Sequence, residues 1–319
     1  MDHDKNSYSL TFFFSTLSLL LTSCGGGGGG NDTTQPSNNV SINQQAKITP
    51  QSVEEYLIGI DLWFSRDLTG YVTEFFAGGT LTFQTGEIDL TVENGCGGTV
   101  SISGSLDESA STGSLSITFT DYQHCSYNGT YTTTGSFDLS IYDAKGAPYN
   151  ESLIIPSNFV LSTNDAVLNV ESDTFQLVGN IEYDHDTSHA DHSVLTLVKN
   201  FNISNSSGEA GFINFIDQVY YTDKLFLYPR GSLSLHYSGR LYDSDYGYVD
   251  IAMVNAPTVC YSRTMTTCPL DPEKLGKVEM VGENSSAQIY FDYGEYVSID
   301  SDGDGTYDQD IFCNNGTCY

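Results

Sequence analysis

Short segments in which apolar and polar residues alternate recur through most of this chain, and that two-residue period constrains the fold more than any other feature. It runs through Thr80–Gln84, Glu87–Val92, Thr99–Ser103, Ser114–Thr120 and Gly135–Ile141. It resumes at Ala166–Val170, Thr174–Val178, Leu195–Val198, Phe212–Ile216 and Ser232–Tyr237, with Gly, Asn or Asp between segments. Side chains on a strand point alternately to opposite faces, so each segment offers one face for burial and one for water. Thr, Ser and Tyr on the polar phase suit strands whose outer face is solvated. Sequential hairpins of this kind form an antiparallel meander, and a meander buries its apolar face only by rolling up or stacking. The expectation is therefore an all-β chain, its meander rolled into a part-barrel or sandwich. No fixed repeat supports a regular solenoid; the two halves share only a loose echo.

One helix is expected at the start of this body. Thr49 is placed to cap it, Pro50 suits its first position, and Ser52 with Glu55 has capping-box spacing. Val53, Tyr56, Leu57 and Ile60 fall on one helical face, and the helix is expected to end near Trp63. A porin-like barrel is disfavoured although 13% of residues are aromatic. The outward phase is mostly Ser and Thr, which lipid does not tolerate. The last residues, Phe312–Tyr319, also lack the alternation of a closing membrane strand.

The first 23 residues read as an address label. Lys5 provides one positive charge, and Leu10–Leu21 is an apolar run too short for a spanning helix, which needs roughly 20 residues. Leu21, Thr22 and Ser23 then lead into Cys24, a segment that resembles the lipobox of bacterial lipoproteins. The resemblance implies lipid on the Cys24 sulfur, cleavage just before it, and a palmitate-bearing anchor. Gly25 follows the cysteine in place of Asp; by resemblance to enterobacterial lipoproteins this implies release to the outer membrane. Residues 24–48, with six glycines at Gly25–Gly30 and then polar chain, bury too little to fold. They read as a flexible tether with a reach of roughly 25–30 Å. The β domain is expected over 49–319, with 256–319 as a possible C-terminal extension.

Forty-one acids face eleven Lys and Arg, a net charge of −30. Removing residues 1–23 takes away Asp2, Asp4 and Lys5, so the remainder carries −30 + 1 = −29. Such a field repels nucleic acids and anionic headgroups and attracts divalent cations and basic partners. Apart from Cys24, the cysteines are Cys96, Cys125, Cys260, Cys268, Cys313 and Cys318. An even number in an exported chain points to disulfides. The simplest pairing joins neighbours, Cys96–Cys125, Cys260–Cys268 and Cys313–Cys318, although six cysteines allow many others. The absence of any CxxC pair argues against zinc.

Two segments have the donors for a metal. Asp300, Asp302 and Asp304 occupy loop positions 1, 3 and 5, with Gly305 at the turn, the Thr306 carbonyl at 7 and Asp308 at 9. Hard oxygens at this spacing suit calcium, in a weak structural site, since Ile311 stands where an EF-hand has a bidentate glutamate. His185, His189 and His192 lie within eight residues among Asp184, Asp186 and Asp191 and are a weaker candidate for a transition metal. Their spacing aligns them only on a helix, whereas a solvated β-loop is expected there. Signatures of nucleophilic, metalloprotease and phosphate-binding enzymes are absent from the sequence, and no catalytic residue is assigned.

Cys96-Gly97-Gly98, the Gly239-Arg240…Tyr242 and Tyr246-Gly247-Tyr248-Val249-Asp250 segment, and the Asp300–Gly305 turn together resemble a group of uncharacterised proteobacterial lipoproteins. The resemblance covers most of residues 75–310 and implies an anchor and a β-rich body, with no activity attached. Within that segment Arg240 is expected to pair with Asp243, Asp245 or Asp250. The functional expectation is a lipid-anchored envelope protein serving as a binding or structural module toward an envelope glycan or protein. A glycan-directed hydrolase or a carrier of hydrophobic ligands are the alternatives.

Overall fold

The computed structural model describes residues 43–53, 56, 86–93, 97–107, 112–123, 131–143, 147–148, 154–170, 173–189, 192–206, 208–221, 231–255, 258–261, 276–292, 294–314 and 317–318. The strands are β1 (Gly86–Glu93), β2 (Thr99–Asp107), β3 (Thr112–Gln123), β4 (Tyr131–Asp143), β5 (Ala147–Pro148), β6 (Ile154–Ile155), β7 (Asn158–Val170), β8 (Asp173–Asp186) and β9 (Ser193–Ser204). They continue as β10 (Glu209–Tyr221), β11 (Gly231–Asp243), β12 (Gly247–Asn255), β13 (Thr258–Tyr261), β14 (Gly276–Gly282), β15 (Ser285–Asp292), β16 (Gly294–Asp300), β17 (Gln309–Asn314) and β18 (Thr317–Cys318). All but β5 and β6 belong to one 16-stranded sheet, and these two pair only with each other. Neighbours in the sheet follow chain order and are antiparallel; β13 lies apart from this path, pairing with the start of β11 as β12 pairs with its end. Among the described residues no ladder joins β1 to β18. The chain is thus an all-β antiparallel meander, as the alternation predicts.

The apolar phase of each strand is the buried one. In β3, Leu115, Ile117 and Phe119 are buried; in β9, Leu195, Leu197 and Phe201 are. These inward side chains form two contiguous cores. One runs from Ile88 on β1 to Val219 on β10, and the other joins Phe212 and Phe215 of β10 to the inner faces of β11–β16. β10 contributes to both and is the seam between them.

Bulges and glycines interrupt the regular ladder at matching positions. Register shifts occur in β3 beside Asp121, in β7 between Thr163 and Ala166, and in β10 around Asn214. Asp121 and Asn214 have positive φ, 46° and 47°. A bulge adds a residue to one strand, bends it and sharpens its twist. Neighbouring strands answer with glycine. Gly179 (φ +135°) approaches β9 so closely that an added Cβ would lie 2.2 Å from the Asn200 carbonyl oxygen. Gly239 (φ +138°) lies against the β10 bulge, where a Cβ would come 2.5 Å from Phe215 Cα. Extra residues opposite missing side chains make the creases about which a long sheet rolls.

The segment before β1 belongs to the second core. The Ala46 N–H donates to the Tyr248 carbonyl at 2.8 Å, and the Tyr248 N–H donates to the Gln44 carbonyl at 2.9 Å. Ala46, Ile48, Val53 and Tyr56 are buried there, and the Tyr56 hydroxyl donates to the Gly247 carbonyl at 2.9 Å. Packed chain therefore begins by residue 46, so the tether expected over 24–48 ends earlier than that boundary. Residues 50–53 and 56 are helical. The cap is Thr49, whose Oγ1 accepts from the Ser52 N–H at 3.2 Å while Ser52 Oγ accepts from the Thr49 N–H at 2.9 Å. This reciprocal pair sits one turn earlier than the expected Ser52–Glu55 box. Glu55, Leu57, Ile60 and Trp63 lie outside the described residues, as does the expected strand at Thr80–Gln84. Residues 276–318 prolong the same sheet through the β12–β14 ladder, so this part of 256–319 is a continuation of the domain rather than an extension beside it.

Candidate functional site

The acidic loop joins β16 to β17, strands that pair from Ile299↔Gln309 onward. The Asp308 N–H donates to the Ile299 carbonyl at 2.9 Å, closing the loop at its base. Gly303 (φ 76°) and Gly305 (φ 86°) provide two left-handed turns where one, at Gly305, was expected. Asp300 is buried, and its two oxygens accept the N–H groups of Gly303 at 2.7 Å and Gly305 at 2.9 Å. Desolvation works against its charge, but these bonds, with further N–H contacts from Asp302 and Asp304, hold its pKa below the ordinary carboxylate value. The ring of donors winds the loop around a carboxylate anion.

Carboxylate oxygens of Asp300, Asp302 and Asp304 lie within 4.8 Å of one another. Three of the five expected calcium ligands therefore converge. Asp308 turns elsewhere: its carboxylate accepts the Ser301 hydroxyl at 2.7 Å and braces the loop base. Thr306 donates its N–H to Asp304 at 2.7 Å. Three hard carboxylates fit a calcium ion better than a thiophilic metal, with the remaining ligands of its usual six to eight coming from carbonyls or water.

The histidines do not assemble into a comparable group. Among the described residues, the acidic loop alone brings three metal-ligating side chains this close together. His185 is an inward residue of β8, 2% exposed. His189 and His192 lie in the turn that follows and stack with ring centroids 4.1 Å apart, and His189 Nε2 is 3.3 Å from Asp186. The strand ends between the first histidine and the other two. Burial pushes the His185 pKa down to about 4, against the pull of Asp186. The unfolded chain then binds a proton near pH 6.5 that the folded chain refuses until about pH 4. Stability should be full above pH 6.5 and fall by up to about 3 kcal/mol as pH drops toward 4. His185→Phe should flatten this limb when melting temperature is followed against pH; an unchanged slope would place the acid sensitivity elsewhere. Asp186 and Asp300, whose pKa values are lowered, contribute only at more acid pH.

Arg240 finds one of its three expected partners. It stands directly opposite Asp250 across β11 and β12, with Nε 2.8 Å and Nη2 3.3 Å from the two carboxylate oxygens. Its guanidinium carbon lies 3.6 Å from the Tyr248 ring centroid. Asp243 instead shapes the β11–β12 turn, accepting the N–H groups of Asp245 and Tyr246 at 2.8 and 3.2 Å. Burial raises the Asp243 pKa despite those bonds.

A buried ion pair was not anticipated. Lys199 on β9 and Asp217 on β10 meet at 3.3 Å with side chains 4% and 2% exposed, inside the roll. Lys199 Nζ also lies 5.3 and 5.5 Å from the ring centroids of Phe212 and Phe215. The signal was present: both residues occupy the apolar phase of their strands, between Leu197 and Phe201 and between Phe215 and Val219.

Of the cysteines, Cys24, Cys96, Cys125 and Cys268 lie outside the described residues. Cys260 is on β13 opposite Ser232, and Cys313 on β17 is the direct partner of Cys318 on β18. Comparison with protein families, curated proteins and solved structures finds no match to the chain.

Proposed function

We propose that the chain is the precursor of a lipid-anchored envelope protein, held at the outer membrane through an acylated Cys24, whose rolled sheet is a binding or structural module. The observation that carries this reading is the order Leu10–Leu21, Leu21-Thr22-Ser23-Cys24, polar glycine-rich chain, then a folded body. Residues 44–53 and 56 join the chain that follows the tether to the folded body. There Gln44 and Ala46 are hydrogen-bonded to Tyr248, and Ala46, Ile48, Val53 and Tyr56 pack into the second core. Cys24→Ser should move the protein from the membrane fraction to the soluble envelope fraction. Retention of the variant in membranes would refute the anchor.

The same reading includes calcium at Asp300, Asp302 and Asp304 and disulfides formed in an oxidising compartment. Directly opposed residues in an antiparallel ladder have Cα atoms about 4.5–5.5 Å apart, within the range a disulfide spans. The register of Cys313 and Cys318 supports their pairing. Beside the candidate pair Cys96–Cys125, the Gln123 N–H donates to the Gly97 carbonyl at 3.0 Å, joining the chain next to Cys96 to the chain two residues before Cys125. A calcium titration by calorimetry should show binding in the millimolar range or tighter. Asp300→Asn should abolish it; heat unchanged by that substitution would rule out this loop as the site.

A further inference from the structure

Two of the ion pairs among the described residues join neighbouring strands, and they use different cations. Arg240 and Asp250 pair where both side chains are partly exposed. Lys199 and Asp217 pair in the interior, and Lys199 is the one buried cation among the described residues. Arginine is the usual cation for a buried pair, because its guanidinium is weakly hydrated and keeps its charge. Lysine differs in one respect: an ammonium that gives up a proton becomes an amine, and an amine is a nucleophile. As a contact alone, a buried pair stabilises no better than apolar side chains of similar volume. The identity and placement of these two residues suit a reaction between them.

The geometry brings the reacting groups together. Lys199 Nζ donates to Asp217 Oδ2 at 3.3 Å. In the ladder Lys199 stands opposite Phe215 and Asp217 opposite Leu197, so the two are diagonal neighbours, and the flexible lysine chain spans the diagonal. The rings of Phe212 and Phe215 lie 5.2 Å apart, with centroids 5.3 and 5.5 Å from Nζ. Tyr237, the direct partner of Asp217 on β11, packs on Phe215 with centroids 6.3 Å apart. These rings hold amine and carboxyl side by side and keep water away. Proximity speeds a condensation, and exclusion of water slows its reversal.

We propose that Lys199 and Asp217 condense after folding into an amide cross-link between β9 and β10. The ion pair holds every atom the step needs. One ammonium proton passes to Oδ2, a transfer favoured in a dry site because it removes two buried charges. The nitrogen lone pair then attacks Cγ and forms the N–C bond. A second proton moves from nitrogen to the same oxygen, the Cγ–O bond breaks, and one water departs. The neutral amide ties the seam between the two cores and, unlike a disulfide, survives reduction. The pair must be buried to react, so its energetics as an ion pair are those of the chain before the bond forms. The proposal is independent of the lipid anchor and of calcium.

Peptide mapping by mass spectrometry tests it, on full chain kept folded until its mass is constant and then denatured and reduced. Trypsin should fail to cut after Lys199. Cleavage after Glu209 should leave the segments on either side joined, one water lighter than their sum. Lys199→Arg keeps the positive charge but not the amine, and should restore both cleavage at 199 and full mass. Asp217→Leu should restore cleavage after Lys199. Melting curves report whether each variant is folded, and the map of the unsubstituted chain decides even where one is not. Complete cleavage after Lys199 with both segments at full mass would overturn the proposal. So would a missing water that persists in Lys199→Arg.

Discussion

Replacing Lys199 by methionine should destabilise the fold by about 3–5 kcal/mol, and replacing Asp217 by leucine should cost a similar amount. The double replacement should cost less than about 1 kcal/mol. Each single change leaves one charge inside the roll, where its partner group 3.3 Å away had offset the loss of water. The double change removes both charges and leaves apolar side chains beside Phe212 and Phe215. Register gives the pair its position: Lys199 stands opposite Phe215 and Asp217 opposite Leu197, diagonal neighbours on the inner face of β9 and β10. Because β10 is the seam between the two cores, the pair also disfavours slippage there, since a one-residue shift would turn Asp217 to solvent and strand Lys199 inside. Urea unfolding of the four proteins measures the coupling directly. Losses that simply add would show that the two groups are not a unit.

Gly179→Val should cost more than about 3 kcal/mol and prevent folding if the native margin is small. Two separate effects combine at this position. The backbone sits at φ +135°, which side-chain-bearing residues rarely adopt, and a Cβ would lie 2.2 Å from the Asn200 carbonyl oxygen. Gly305→Ala isolates the first effect, because φ is +86° there and nothing lies within 4 Å of the added carbon. That change should cost only about 1 kcal/mol. A Gly179→Val protein that melted with the Gly305→Ala protein would mean that the crease opens freely and that glycine does not set the curvature.

Much of the sheet is legible in the sequence because alternation is a local property. In the alternating segments of β3, β4 and β9 the apolar phase is the buried one. The alternation breaks at the bulges. In β7 the buried residues are Phe159, Leu161 and Thr163, then Ala166 and Leu168, so the phase slips by one and only the second half looks like a strand. β10 slips in the same way between Phe212 and Phe215. A bulge erases the period while keeping the strand, and the glycines that answer it lie on the neighbouring strand, too far along the chain for a periodicity argument to connect. The same limit hid the ion pair, since a charged residue in the apolar phase has meaning only when its partner strand is known.

At the candidate sites, local patterns transferred well and long-range ones did not. Asp300, Asp302 and Asp304 converge because an eight-residue connection with two glycines follows Asp300 and dictates their spacing. Asp308 fits the ligand spacing, and here its carboxylate accepts the hydroxyl of Ser301. The choice of Asp250 for Arg240 follows from their opposition across a ladder, whereas Asp243 is held by the turn. His185 belongs to a strand and its two neighbours to the following turn, a division that residue spacing alone does not reveal.

Mass spectrometry of the protein recovered from its native envelope, digested without reduction, is the most direct test of an exported, acyl-anchored sheet. The expected product begins at Cys24, carries fatty-acyl mass on that residue, and yields Cys313 and Cys318 joined by a disulfide. An N-terminal peptide still containing Leu10–Leu21, or an unmodified Cys24 accompanied by free thiols at Cys313 and Cys318, would contradict it.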